Sequence, residues 1–368
     1  MLSSFTRGVA AAALAASFAL PVWANTITVT DTLDRSVEIP ENPERILLGF
    51  YYEDFMAVGG PDAYDRVVAI SKDTWEGWRN LQWQTYAAAI PRLNELADVG
   101  EVESGTFSLE AVIAAEPDVA LMAAWQYNAL GEMADRIEAA GIPVVVLDYN
   151  AQTVEKHVES TLLLGQIMGA EARAQTLADE YAGEVGKIME SLASIPEGAA
   201  PKVYVELGRK GKDEIDNSYS GTQWGTVITQ LGATNIADGQ ISSWGQLSPE
   251  YVLAQNPEVI MLAGSGWAGR DQAVIMGPGV DSALTHERMA AYMERPGWAD
   301  LEAVKNGDVF GIYHGGNRTL YDYAFLQFLA KAMYPDTFAD LDPQASLDRF
   351  FETYMPITFK GTYMTQLP

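Results

Sequence analysis

Cations and flat aromatic rings recur together just beyond a series of short apolar runs in this chain. Tyr51, Tyr52 and Glu53 follow the run 45–50. Lys72, Trp75, Trp78, Arg79 and Trp83 follow 67–71, and Trp125 and Tyr127 follow 119–124. In the second half, Arg209, Lys210, Tyr219 and Trp224 come after 202–207. Trp244 precedes Ser248-Pro-Glu250, Trp267 and Arg270 follow 258–263, and His314 and Arg318 close the run 308–314. Singly, each Trp has an ordinary reading as core packing. As a set in loops, they suit a cleft with flat apolar walls and a few fixed positive charges. Guanidinium forks match anionic oxygens, and aromatic faces attract cations and stack on flat groups. The chemistry implied is capture of an anionic ligand with flat groups.

Bond-making would need other residues. No G-x-S-x-G, Walker A, H-E-x-x-H or EF-hand loop occurs. Gly264-Ser-Gly266-Trp-Ala-Gly269 fits a dinucleotide pattern, but Gly277-Pro-Gly279 interrupts the helix such a motif opens. His157, His286 and His314 are too few for a bare zinc or manganese site. A single axial ligand for haem would have to be Tyr51, Tyr52, Tyr313 or His314. Molybdate or tungstate would use backbone N–H groups and leave the aromatics idle. No catalytic residue, metal site or resident cofactor is expected, and an exported α/β enzyme is the rival class.

Composition narrows the partners. Fifty acidic against 23 basic residues among 368 give a net charge of −27. That disfavours nucleic acid, which is bound by clustered Lys and Arg. The absence of cysteine excludes disulfides, thiolate metal sites and lipid attachment at Cys. Residues 1–24 read as a secretory leader: Arg7, the apolar run 9–20, then Val22-Trp-Ala24 before Asn25. The run is too short to span a bilayer comfortably. The expectation is a periplasmic monomer released by cleavage, not a lipoprotein.

The elements that must position these groups alternate strand and helix. Polarity alternates in 27–31 and 36–40, as in a hairpin. Buried-strand candidates at 45–50, 67–71, 119–124 and 143–149 are followed, in the second half, by 202–207, 258–263 and 308–314. Helical patterns at 109–115 and 130–140 lie between the first set, which predicts parallel α/β sheets. In 171–192, Leu177, Tyr181, Val185, Ile188 and Leu192 recur at spacings of three and four, a long amphipathic helix between two lobes.

The lobes look related. Ser108-Leu-Glu110-Ala-Val112, with Pro117 and Val119 beyond it, recurs 140 residues later as Ser248-Pro-Glu250-Tyr-Val252, with Pro257 and Val259. Each copy reads as an N-cap serine, a short helix, a proline corner and a buried strand. Glu110 and Glu250 have an ordinary role in the first helical turn, where the dipole favours an acid by ~0.3–1 kcal/mol. Their equivalence suggests a second role, as one acidic knob per lobe.

The ordered motifs Asn42-Pro-Glu-Arg-Ile46, Asp98-Val-Gly100, Glu116-Pro-Asp118, Ala140-Gly-Ile-Pro143, Gly232-Ala-Thr-Asn235 and Tyr334-Pro-Asp336, with the two Ser-x-Glu segments, carry a resemblance. The chain resembles the periplasmic substrate-binding proteins of ferric-siderophore, haem and cobalamin ABC importers, over nearly all of its length past the leader. The resemblance implies two Rossmann-like α/β lobes with mainly parallel sheets, 25–169 and 196–368, joined by one helix at 170–195. It implies that Glu110 and Glu250 meet arginines of a permease dimer in the inner membrane. Open α/β sheets bind at the carboxyl ends of their strands, so the ligand is expected between the lobes, where aromatic walls and arginines suit a ferric chelate with catecholate, hydroxamate or carboxylate arms. The residues placed there are Tyr51, Tyr52, Trp75, Trp78, Arg79, Trp125 and Tyr127 from the first lobe, and Arg209, Tyr219, Trp224, Trp244, Trp267, Arg270, His314 and Arg318 from the second.

Overall fold

A computed structural model describes residues 25–196, 198–357 and 360–368; the leader therefore lies outside the described residues. The first lobe is a five-stranded sheet in the order Ala97–Asp98, Val67–Ile70, Ile46–Leu48, Val119–Ala123, Val144–Leu147, parallel throughout. The three strands 46–48, 119–123 and 144–147 are buried at every position, because crossover helices cover both faces. This is why they read as unbroken apolar runs. The hairpin Thr26–Thr30 and Ser36–Pro40 docks on this lobe through Asp31. The Asp31 carboxylate accepts from the Leu33 and Arg35 amides within the turn and from Val146 N–H in the edge strand.

The second sheet runs Thr234–Asn235, Lys202–Leu207, Val259–Gly264, Val309–Tyr313, Met364–Gln366, with only the last strand antiparallel. The repeat survives in three dimensions. Ser108 and Ser248 each cap a short helix, accepting from Ala111 N–H at 3.2 Å and Tyr251 N–H at 3.1 Å. Asp118 and Glu258, again 140 apart, brace the amide that opens the first strand of their lobe: Arg45 N–H at 2.9 Å and Lys202 N–H at 2.8 Å. Glycine ends that strand in both lobes. A Cβ on Gly49 would lie 2.6 Å from Gln126 Oε1, and one on Gly208 would lie 2.8 Å from Val274 Cγ2.

Each sheet reverses its strand order beside that first strand. In the first lobe the reversal is between 46–48 and 119–123; in the second it is between 202–207 and 259–264. Crevices at the carboxyl ends of such switch points are where open α/β sheets bind ligands.

The helix Glu171–Leu192 buries Ala174, Leu177, Ala178, Tyr181, Val185 and Ile188. It is bonded to both lobes. Arg173 donates to Ala57 O in the first lobe at 2.6 Å and to Tyr354 O in the second at 2.9 Å. Glu180 accepts from Tyr323 and Tyr354, and Glu184 from Gln327. The lobes also meet directly. Leu320 N–H donates to Asp54 Oδ1 at 2.7 Å, Tyr321 OH to Glu53 Oε2 at 2.5 Å, and His157 Nε2 faces Asp322 Oδ2 at 3.2 Å. His157 Nδ1 faces Thr153 O, an acceptor, so Nδ1 carries a proton. These ties predict little lobe movement. Small-angle scattering with and without ligand should show no measurable compaction; hinge closure like that of crossover-strand receptors would contradict the bracing described here.

Four helices begin where loops were expected: Tyr52–Gly59, Asn80–Ala89, Ala124–Leu130 and Gln223–Gln230. Ala124–Leu130 starts on the residue after its strand, with no Ser, Thr, Asp or Asn cap; Gln126 Oε1 accepts the Ala123 N–H instead. Asn80–Ala89 has no acidic first turn and no clear apolar stripe. Neither carries the usual start signals.

Candidate ligand cleft

At the first switch point the chain leaves strand Ile46–Leu48 through Phe50 and Tyr51. Tyr51 sits in the left-handed region at φ 57°, and its buried hydroxyl donates to Asn150 Oδ1 at 2.8 Å. Phe50 is the hub of this wall. Trp125 meets its ring edge-on at 5.5 Å between centroids, and Trp78 stacks on Trp125 at 6.2 Å. The Arg79 guanidinium lies 5.3 Å from the Phe50 centroid, and that of Arg318, from the other lobe, lies 5.9 Å from it.

The second wall centres on His314. Trp224 Nε1–H donates to His314 Nδ1 at 3.3 Å, and Tyr219 stacks on the imidazole at 6.0 Å. An accepting Nδ1 fixes the neutral tautomer with its proton on Nε2. Enclosure, then the charges of Arg318, Arg79 and Arg209, hold this histidine well below the usual imidazole range.

The three arginines differ in how they are satisfied. Arg209 is paired with Asp216, at 3.1 Å from Nε and 3.2 Å from Nη2. Arg318 is 9% exposed, at φ 67°, and its side chain is held by Asn317 Oδ1 at 2.8 Å. Its backbone N–H donates to Asp322 Oδ2 at 3.2 Å. Burial, then Arg79, push its pKa down to about 10, so it stays cationic at neutral pH. Among the described residues, neither Arg79 nor Arg318 has a carboxylate within ion-pair distance. Burying a cation without a partner costs several kcal/mol. Of the two, Arg318 is buried and Arg79 partly buried, and among the described residues no acid is placed to repay that cost.

The structure sorts the fifteen expected cleft residues. Tyr51, Trp78, Arg79 and Trp125 come together with Arg209, Tyr219, Trp224, His314 and Arg318. Trp267 is partly buried in a loop that abuts the first lobe, for a Cβ on the adjacent Gly266 would lie 2.7 Å from Leu81. Tyr52 and Trp75 are corrected to core: they stack on each other at 4.4 Å and 6°, and the Tyr52 hydroxyl is spent on Gly49 O and Ser71 O. Tyr127 turns to the hairpin, taking Arg35 Nη1–H at 2.6 Å with that guanidinium 4.1 Å from its ring. Arg270 is exposed, and Trp244 is 60% exposed on the strand Trp244–Gln246. Of the axial candidates, Tyr52 and Tyr313 are buried in the core and Tyr51 is bonded to Asn150, which leaves His314 Nε2. Phe50 went unread because it closes an apolar run and looks like strand.

Glu110 and Glu250 are both exposed in the first turn of their helices, with no cation paired to either among the described residues. Among the described residues no helix is long and apolar enough to cross a membrane, and no group of three or more metal-ligating side chains occurs.

Comparisons with known proteins agree with this architecture. The family model described as periplasmic binding protein matches residues 51–313. The crystal structure of the TroA-like periplasmic binding protein FepB from Veillonella parvula is 30% identical and superposes with a TM-score of 0.88, covering 93% of this chain and 100% of that one. The molybdate-binding protein MolA of Haemophilus influenzae is 24% identical over 358 residues, 90% of this chain and 92% of MolA. An uncharacterized ABC transporter substrate-binding lipoprotein, YvrC of Bacillus subtilis, is 22% identical over 321 residues, 85% of this chain and 87% of YvrC.

Proposed function

The chain belongs to the periplasmic binding protein family, and from that premise we propose that it captures an anionic ferric chelate between its lobes for an ABC importer. It is a solute-binding protein, not an enzyme, and it acts outside the cytoplasm with a membrane permease. The finer reading rests on one observation: the guanidiniums of Arg79 and Arg318, one from each lobe, flank Phe50 without a carboxylate partner. An anion entering there would be clasped by both lobes. Trp78, Trp125 and His314, each partly exposed, offer flat faces beside these arginines, which suit a chelate with aromatic arms. The unpaired arginines also favour a second reading, a bare oxyanion; MolA binds molybdate and spans the same length. Such a ligand would leave the aromatic walls without a partner.

Tryptophan-fluorescence titration separates the readings. Ferric tricatecholate or ferric citrate should quench near one equivalent, while molybdate, haemin and cobalamin should not. Saturation by molybdate alone would replace the chelate reading with the oxyanion. Haemin or cobalamin alone would sink both while keeping the importer role.

Glu110 and Glu250 act as docking contacts for permease cations, supporting register and encounter more than raw affinity. Glu110→Ala and Glu250→Ala should each leave ligand titration unchanged and cost the helix only ~0.3–1 kcal/mol, yet impair uptake. Normal transport by both variants would reduce these residues to helix stabilisers. The leader-like start and the lack of cysteine support cleavage to a free periplasmic monomer.

A further inference from the structure

Large apolar side chains are rarely exposed in this protein. Among the described residues only Leu33, Ile113 and Trp244 stand out, at 36%, 46% and 60% exposure. Two of the three lie beside the repeated Ser-x-Glu segments. Ile113 is three residues after Glu110 on the helix Leu109–Ala114, so both side chains share a face. Trp244 lies four residues before Ser248, the cap of the helix that carries Glu250.

The two lobes supply these groups differently. The counterpart of Ile113 at the offset of 140 is Leu253, which is partly buried: Gly297 packs close enough that a Cβ there would lie 3.0 Å from its side chain. The second lobe therefore has no large apolar side chain exposed on its helix and presents Trp244 from an edge strand instead. That strand pairs with Asn217–Tyr219, with Trp244 opposite Tyr219. Opposed residues of an antiparallel pair project from the same face. Trp244 thus stands at the rim beside Tyr219, whose ring stacks on His314 in the cleft.

We propose that Ile113 and Trp244 are the apolar anchors of the surface that docks on the permease, each completing an acidic contact, Glu110 in one lobe and Glu250 in the other. This rests on the docking reading of the glutamates. An exposed acid alone adds little binding energy, because water solvates it well. A tryptophan that becomes desolvated beside it is the type of side chain that dominates interface energetics. The occupant is an importer permease whose outer face offers cations next to apolar pockets. The position of Trp244 beside Tyr219 gives docking a direct mechanical route to the ligand wall.

The test places the photo-crosslinker p-benzoylphenylalanine at Ile113, at Trp244 and, as control, at Glu352. Glu352 is exposed on Pro343–Tyr354, the helix whose Tyr354 bonds the connecting helix. Each protein is illuminated with membrane vesicles from the native host, and the crosslinked partner is identified by mass spectrometry. Positions 113 and 244 should crosslink to a subunit of an ABC permease, and 352 should not. Trp244→Ala should weaken sedimentation with the vesicles by roughly 30-fold or more, the mark of a hot spot, with its melting temperature unchanged. Absence of permease crosslinks at 113 and 244, or crosslinks only to a second copy of this chain, overturns the anchors. Glu110→Arg with Glu250→Arg should abolish sedimentation. If it does so while 113 and 244 stay uncrosslinked, the glutamate reading survives and the anchors fail. If sedimentation persists in that variant, the glutamate reading fails, and crosslinks at 113 and 244 still decide for or against the anchors.

Discussion

Arg295→Met should lose about 3–5 kcal/mol of folding stability, the scale for stripping one partner from a buried ion pair. Arg295 meets the fully buried Glu206 with both arms, Nη1 at 2.6 Å and Nη2 at 2.9 Å, sandwiched between Tyr292 and Trp298. It also donates to the carbonyls of Gly211, Lys212 and Glu214. The loop it gathers joins Lys202–Leu207 to Asn217–Tyr219 and carries Arg209 and Asp216. Glu206 Oε1 accepts the Asp216 N–H at 3.0 Å, so the pair supports one wall of the cleft from beneath. Burial raises the Glu206 carboxyl above its ordinary range even with Arg295 present. Without Arg295 the rise is larger, and the folded state then holds a proton that the unfolded state releases. Stability must therefore fall as pH climbs from the unfolded value of about 4.3, levelling off above the raised folded value. The deficit in chemical denaturation should be smaller at pH 5 than at pH 8. Glu206→Leu with Arg295→Met should recover much of it, since an apolar pair leaves no charge buried. An equal deficit at both pH values would show that losing Arg295 does not push the Glu206 carboxyl further up.

Arg318→Met should move stability and binding in opposite directions. The apo protein carries the cost of a buried guanidinium pushed against Arg79, so removing it should raise the melting temperature. If Arg318 holds the anion as proposed, the same change deletes a charge-assisted contact worth ~1.5–3 kcal/mol, or roughly 10- to 150-fold in Kd. A merely structural arginine would lower both. Calorimetric titration and thermal unfolding of the one variant decide between the two.

Much of the scaffold was legible because its physics is local. Strands buried on both faces read as apolar runs, and the stripe from Leu177 to Ile188 read as the helix Glu171–Leu192 at its observed bounds. The serine caps and the 140-residue repeat were likewise visible. The cleft was only half legible. Arg79, Arg209 and Arg318 are equivalent as letters; what separates them is whether an acid such as Asp216 folds back to meet them. Tyr52 and Trp75 differ from Trp78 and Trp125 only in which way the local helix or turn faces. Phe50 lacks any polar handle and was hidden inside a strand pattern. Tertiary packing supplies those distinctions, and no spacing rule encodes them.

In the proposed function, arginines of both lobes hold an anion that is handed to a permease. The most direct measurement of that function is iron-55 accumulation from a catecholate chelate by native cells, comparing the intact chain, a deletion and Arg79→Met with Arg318→Met. The deletion and the double variant should both lose accumulation, with the variant folded and present at normal abundance. Undiminished iron uptake in both strains would contradict that function.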